Sequence, residues 1–190
     1  MKKVFIIHGF NGSPNGGWRP WLMVELAKHD IYACALPMPT PRYPIQEEWV
    51  KTVSEVIGNP DEEIFLVGHS LGVPTILRYL ETLPKDKKIG GAVLVSGFIN
   101  YVPGPGDRYD LINKFAENSF DFEHIKNVCK KFVVIHGDDD PIVTFSNAEE
   151  LSNKLSCKLI SFPNGKHLNG KAGIYELPEA LDSLLKMINH

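Results

Sequence analysis

The sequence predicts an α/β protein built on a doubly wound, mostly parallel sheet of about six strands flanked by helices. Three observations predict it. Short apolar runs recur along the 190 residues, amphipathic segments lie between them, and the runs are apolar almost without alternation. Strands that are apolar on both faces are strands covered on both faces, as in a parallel sheet between helical layers.

The expected strands are 3–7, 31–36, 63–68, 90–97, 131–136 and 157–162. Helical patterns fall between them at 19–29, 45–58, 71–83, a broken stretch at 109–128, 146–155, and finally 177–188. Ser146 and Glu149 have capping-box spacing, so Ser146 is the expected N-cap of the fifth helix. PMPTPRYP (37–44) reads as an extended connection after the second strand, placed where it can also wall a site. No repeat or linker interrupts the pattern, so 1–190 is expected to be one domain.

Composition narrows the function classes. Apolar content of 43%, charged content of 23% and a net charge of −3 are ordinary for a globular protein. Without a basic run, no nucleic-acid partner is expected. Three cysteines in no CxxC spacing argue for reduced thiols rather than disulfides or a zinc site. The apolar run after MKK is too short for a secretory signal, and no stretch approaches the ~18 apolar residues of a membrane span. A cytoplasmic protein without a membrane partner is expected.

In such sheets ligands bind beyond the carboxyl ends of the strands, and the reactive residue types fall there. After the third strand comes Gly68-His69-Ser70-Leu71-Gly72, a G-x-S-x-G turn leading into a helix. The chain must reverse sharply with the serine at the apex, and the flanking glycines remove side chains that would collide. A serine nucleophile needs a base, and the base an orienting acid, in the order Ser, Asp or Glu, His. His8, His29 and His69 precede or adjoin Ser70, His124 lies in a helical stretch, His136 ends a strand, and His190 is terminal. His167 in the FPNGKHLNG loop, directly after the last strand, is the candidate base. The acid is expected after the fifth strand, where Asp138, Asp139 and Asp140 stand in a row. The G-x-x-D-x-x-V spacing favours Asp140 among them, with Pro141 biasing it towards an extended backbone. The alternative that Asp140 caps a helix with Pro141 at N1 is weaker because Ser146 is the better cap. For the oxyanion, one donor is the Leu71 N–H; the second is Phe10 N–H, with Asn11 the alternative. His8 is expected to brace that loop.

These motifs resemble the small α/β-hydrolases of the retinoblastoma-binding-protein-nine/YdeN type, bacterial branch. The resemblance runs over nearly the whole chain: IIHGF, WRPWL (18–22), ALPMP (35–39), GHSLG with ILRYLE (76–81), AVLVSGF (92–98), DDP (139–141) and His167. It implies a compact α/β-hydrolase core without a large lid domain, and a triad of Ser70, Asp140 and His167. The loop reads KHLN where the family often has Gly-His-Phe, so Lys166 and Leu168 are departures. In LSCKL (155–159) Leu159 stands where an LxCxE motif needs its acid, so retinoblastoma binding is not carried over.

The expected activity is that of a carboxylesterase on small, short-acyl esters, without cofactor or metal. Thioester and amide substrates pass through the same tetrahedral intermediate. Expected substrate-binding residues are Phe10, Trp18, Phe98 and Tyr101, with the 98–125 stretch as the only cover over the site. The partner is a small-molecule ester, and the chain a monomer or weak dimer. A dinucleotide-binding protein is disfavoured because HGFNGSPNGG lacks G-x-G-x-x-G. A carrier-protein acyltransferase would usually be much longer. An interaction protein on a hydrolase scaffold would have an inert Ser70. The aspartate row without a spaced histidine is usually an acidic loop rather than a metal site.

Overall fold

The computed structural model describes residues 1–189; His190, set aside above as terminal, lies outside them. Six strands form one sheet: β1 (Lys3–Ile7), β2 (Tyr32–Ala35), β3 (Ile64–His69), β4 (Gly91–Val95), β5 (Phe132–Gly137) and β6 (Lys158–Phe162). Their order is β2-β1-β3-β4-β5-β6, and every pairing is parallel. Seven α-helices connect or follow them: α1 (Arg19–Ala27), α2 (Gln46–Ile57), α3 (Gly72–Thr82), α4 (Asp107–Asn113), α5 (Phe122–Val128), α6 (Phe145–Leu155) and α7 (Pro178–Asn189).

Alternate residues of each central strand feed different layers, because successive side chains point to opposite faces. Val4 and Ile6 of β1 and Phe65 and Val67 of β3 pack with Leu22 and Leu26 of α1 and Leu184 of α7. Phe5, Ile7 and Leu66 pack on the other face with Trp49 of α2, Leu77 of α3, Ile125 of α5 and Leu151 of α6. Burial on both faces is why the strand sequences lack polar alternation. The order reverses between β1 and β3, and the loops after these strands flank the crevice this creates. Among the described residues no helix is long and apolar enough to cross a membrane.

Three expectations need correction. β4 stops at Val95 because Ser96 takes φ +47°, a left-handed turn that ends the pairing. Ser146 does not cap α6: Thr144 occupies the N-cap position, and Ser146 Oγ lies 2.9 Å from Thr144 Oγ1. The helix starts early because Asp140 Oδ1 accepts the N–H groups of Ile142 and Val143, closing the preceding turn. The 98–125 stretch is less a cover than part of a core layer. Val102, Tyr109, Ile112, Phe115 and Phe120 are buried in the same cluster as α3. Asn113 ties its start, accepting Val102 N–H at 2.8 Å and donating to Val102 O at 3.0 Å.

Candidate active site

Ser70 sits at the turn from β3 into α3 with φ +54°, a region that side-chain-bearing residues rarely occupy. The Ser70 N–H donates to Val95 O at 2.9 Å, and its carbonyl accepts from Val73, so the strained residue is held from both sides. Gly72 is required by closeness: a Cβ there would lie 2.3 Å from the Ile7 carbonyl oxygen. The helix therefore starts directly against β1, with its amino-terminal dipole beneath the serine.

Ser70 Oγ lies 2.9 Å from His167 Nε2, and His167 Nδ1 lies 2.7 Å from Asp140 Oδ2. A carboxylate can only accept, so Nδ1 carries the proton and Nε2 offers its lone pair to the serine hydroxyl. The three residues expected from chain order thus form one hydrogen-bonded line across spans of 97 and 27 residues. The Asp140 side chain is fully buried, His167 nearly so, and Ser70 half-buried. Burial by itself would raise the Asp140 carboxyl. The close approach of His136 and the hydrogen bond from His167, with the Ile142 backbone N–H, instead hold it well below the usual carboxylate range.

The aspartate row is used in full. Asp138 Oδ1 accepts Asn164 N–H at 2.9 Å, Asp139 Oδ1 accepts Lys166 N–H at 2.7 Å, and Asp140 takes the His167 ring. Asn164, Lys166 and Leu168 all have positive φ (+55°, +48° and +43°), so the loop carrying His167 is strained at alternate residues. Two donors fix its far side: His69 Nε2 donates to His167 O at 3.0 Å, and Trp18 Nε1 donates to Leu168 O at 2.8 Å. Of the two loop departures, Leu168 is fully buried in the α1/α7 layer, while the Lys166 side chain is exposed.

The loop after β1 approaches the serine closely. A Cβ at Gly9 would sit 2.9 Å from Ser70 Cβ and 3.3 Å from Ser70 Oγ. As expected of a brace, His8 Nδ1 donates to Gly9 O at 2.8 Å. Asn11 N–H is already committed to Pro41 O at 2.7 Å. Among the described residues neither Phe10 N–H nor Leu71 N–H has a hydrogen-bond acceptor. Burial pushes the imidazoles of both His8 and His69 below their ordinary value, His69 much further; Arg19 acts in the same direction on each.

The expected substrate wall is partly wrong. Trp18 is fully buried between α1 and His69, edge-on to that ring at 6.0 Å, and anchors the His167 loop. Phe98 is 1% exposed and belongs to the core cluster. Both were expected at the site because aromatics after strand ends can face a crevice or a core, and sequence does not distinguish these. Tyr101 is 67% exposed, and Phe10 is half-buried against the core. Sequence reasoning also missed His69 as a loop anchor, although its place beside Ser70 on a fully buried strand was the available signal.

A parallel sheet in this order, with a serine at a strained strand-to-helix elbow and a histidine and aspartate supplied by later strand ends, defines an α/β-hydrolase. The chain belongs to the serine hydrolase family, whose model matches residues 4–186. It is similar to YdeN of Bacillus subtilis, 37% identical over 183 residues covering 96% of this chain and 94% of that one. It is also similar to the serine hydrolase RBBP9 of Rattus norvegicus, 25% identical over 186 residues covering 96% and 95%. The crystal structure of the B. subtilis ydeN gene product superimposes with a TM-score of 0.94 at 35% identity over 100% of both chains. Est1E from Butyrivibrio proteoclasticus shares the fold, with a TM-score of 0.75 at 15% identity over 100% of this chain and 89% of that one.

Proposed function

We propose that this serine hydrolase is a carboxylesterase acting on small, short-acyl esters through an acyl-enzyme intermediate. The carrying observation is the unbroken Ser70–His167–Asp140 hydrogen-bond line, 2.9 and 2.7 Å long. Ser70 Oγ attacks the ester carbonyl carbon while its proton passes to His167 Nε2, and the carbonyl π pair moves onto oxygen. Phe10 N–H and Leu71 N–H stabilise that oxyanion. The commitment of Asn11 N–H to Pro41 supports Phe10 over its neighbour. His167 then protonates the departing alkoxide, and water repeats the sequence on the acyl-enzyme. Asp140 stays ionised and holds the imidazole in the productive tautomer.

The short-acyl preference is supported by the packing of Trp18 and Phe98 into the core. That leaves half-buried Phe10 and exposed Tyr101 as the expected wall residues with surface to offer. The test is a fluorophosphonate probe, followed by p-nitrophenyl esters of increasing acyl length and a thioester and an amide of the best acyl group. Labelling lost in Ser70→Ala and a rate maximum at two to four acyl carbons (on the order of tenfold over eight) are expected. An unlabelled, folded protein would sink the enzyme reading; faster thioester or amide turnover would replace the ester.

A further inference from the structure

His136, the penultimate residue of β5 and set aside as a candidate base, is fully buried, with Nε2 2.9 Å from Val143 O and 3.3 Å from Asp140 Oδ2. The Val143 carbonyl can only accept, so Nε2 carries the proton. His136 Nδ1 is buried with no hydrogen-bond partner among the described residues. Only one tautomer satisfies this arrangement: protonated at Nε2, bare at Nδ1.

Asp140 is then surrounded by donors. Oδ1 accepts Ile142 and Val143 N–H at 2.9 and 3.1 Å. Oδ2 accepts the His167 Nδ1–H at 2.7 Å, and His136 Nε2, whose proton goes to Val143 O, lies 3.3 Å from the same oxygen. His136 therefore lies against the oxygen that orients the proposed base. It also grips the Val143 peptide, whose N–H donates to the same carboxylate.

Building on the function proposed above, we infer that His136 is a positioning residue, holding Asp140 through the Val143 peptide it grips and through the Nε2–H dipole 3.3 Å from Oδ2. The line lengthens to His136–Asp140–His167–Ser70. No bond to carbon is made or broken by His136, and its proton stays on Nε2 throughout turnover. The positive end of the Nε2–H dipole beside Oδ2 stabilises the carboxylate, which then attracts a proton on His167 less strongly. Removing the donor leaves Oδ2 to His167 alone, which favours the imidazolium.

The titratable surroundings are few. Asp140 touches the ring, His167 lies across that carboxylate, and His69 lies beyond, its ring 5.2 Å from that of His167. From α6 the ring meets Phe145 edge-on at 6.0 Å, while Glu149, Glu150 and Lys154 of that helix are exposed. Across the sheet, β6 places Ser161 beside His136, and Ser96 follows the end of β4.

The experiment has a variant arm and a wild-type arm. His136→Gln keeps an N–H at the reach of Nε2, whereas the His136→Asn amide is too short to touch Val143 O or Asp140. With both proteins folded by circular dichroism, His136→Asn is expected to lower kcat about tenfold with KM unchanged. It should also move the acidic limb of kcat/KM upward by roughly half a pH unit. His136→Gln should restore both. In the wild type, two-bond proton–nitrogen NMR should find Nε2 of His136 protonated and Nδ1 bare. The low-field His167 Nδ1–H resonance should move in His136→Asn and not in His136→Gln. A bare Nε2 overturns the proposal, as does an unchanged limb and resonance in His136→Asn, or equal damage from both variants. The NMR readouts need no turnover, so they decide this pairing even if fluorophosphonate labelling fails and the esterase reading falls with it.

Discussion

Asp139 Oδ1 accepts the backbone N–H of Lys166 at 2.7 Å, one residue before the proposed base, and Lys166 holds φ +48° there. A side chain next to the proposed acid therefore determines the backbone course next to the base. Asp139→Ala should lower kcat on the order of tenfold with little change in KM, since it loosens placement rather than binding. Asp139→Asn retains the acceptor oxygen and should be milder. Asp140→Asn should be the most damaging of these, by roughly 10⁴ in kcat, because an amide N–H facing His167 favours the wrong tautomer. Steady-state kinetics on the three variants check the order; Asp139→Asn as the worst would reverse the roles.

The elbow makes a prediction of opposite sign for activity and stability. Ser70 holds φ +54° without glycine's freedom. Ser70→Gly should abolish hydrolysis and raise stability by about 1 kcal/mol, or roughly 2–4 °C in Tm for a chain of this size. Ser70→Ala should be equally inactive without that gain. Calorimetry beside an ester assay tests both, and a destabilised Ser70→Gly would mean the elbow is not strained.

Trp18 donates to Leu168 O at 2.8 Å from a fully buried position. Trp18→Phe leaves that carbonyl without its donor, at a cost of about 1–3 kcal/mol. Because the carbonyl belongs to the residue after His167, kcat should fall as well. Urea unfolding and kinetics on the same preparation separate the effects. Lost stability with unchanged kcat would show that the loop holds its shape without this anchor.

The buried histidines set the response to acid. Burial, before any other cause, holds His8 and His69 below the ordinary imidazole value in the folded state. Below about pH 6.5 the unfolded chain therefore binds protons that the folded one refuses, and stability falls as pH falls. The depressed Asp140 adds a second loss at lower pH: its contribution is complete above 3.8 and disappears as the carboxyl protonates in the folded state. Urea midpoints from pH 7.5 to 5 should decline, and His69→Gln, which keeps an N–H for His167 O, should flatten the decline. An unchanged slope in that variant would remove His69 from the account.

The directions of these shifts also bear on the rate profile. Asp140 is held ionised, and His8 and His69 are pushed down, so none of them supplies an acidic limb in the neutral range. A single limb in kcat/KM is expected from His167, since a protonated imidazole cannot take the Ser70 proton. His8→Gln and His69→Gln should retain it; its disappearance in either would identify another base.

The sequence by itself determined the order of strands and helices, the serine elbow, and the order in which serine, aspartate and histidine follow the third, fifth and sixth strands. Those properties are local: apolar runs covered on both faces, glycines where the chain reverses, reactive residue types just past strand ends. Tertiary structure alone decided the division of labour among Asp138, Asp139 and Asp140, because their partners Asn164, Lys166 and His167 arrive from across the β5–β6 pairing. It also turned Trp18 and Phe98 into the core, committed Asn11 N–H to Pro41, and brought His136 against Asp140. Each depends on where a side chain or N–H points once the fold is formed, and all but the His136–Asp140 approach, four residues apart, involve residues distant in the chain. Periodicity records which face of an element is apolar, but not which of several polar neighbours a distant donor will reach.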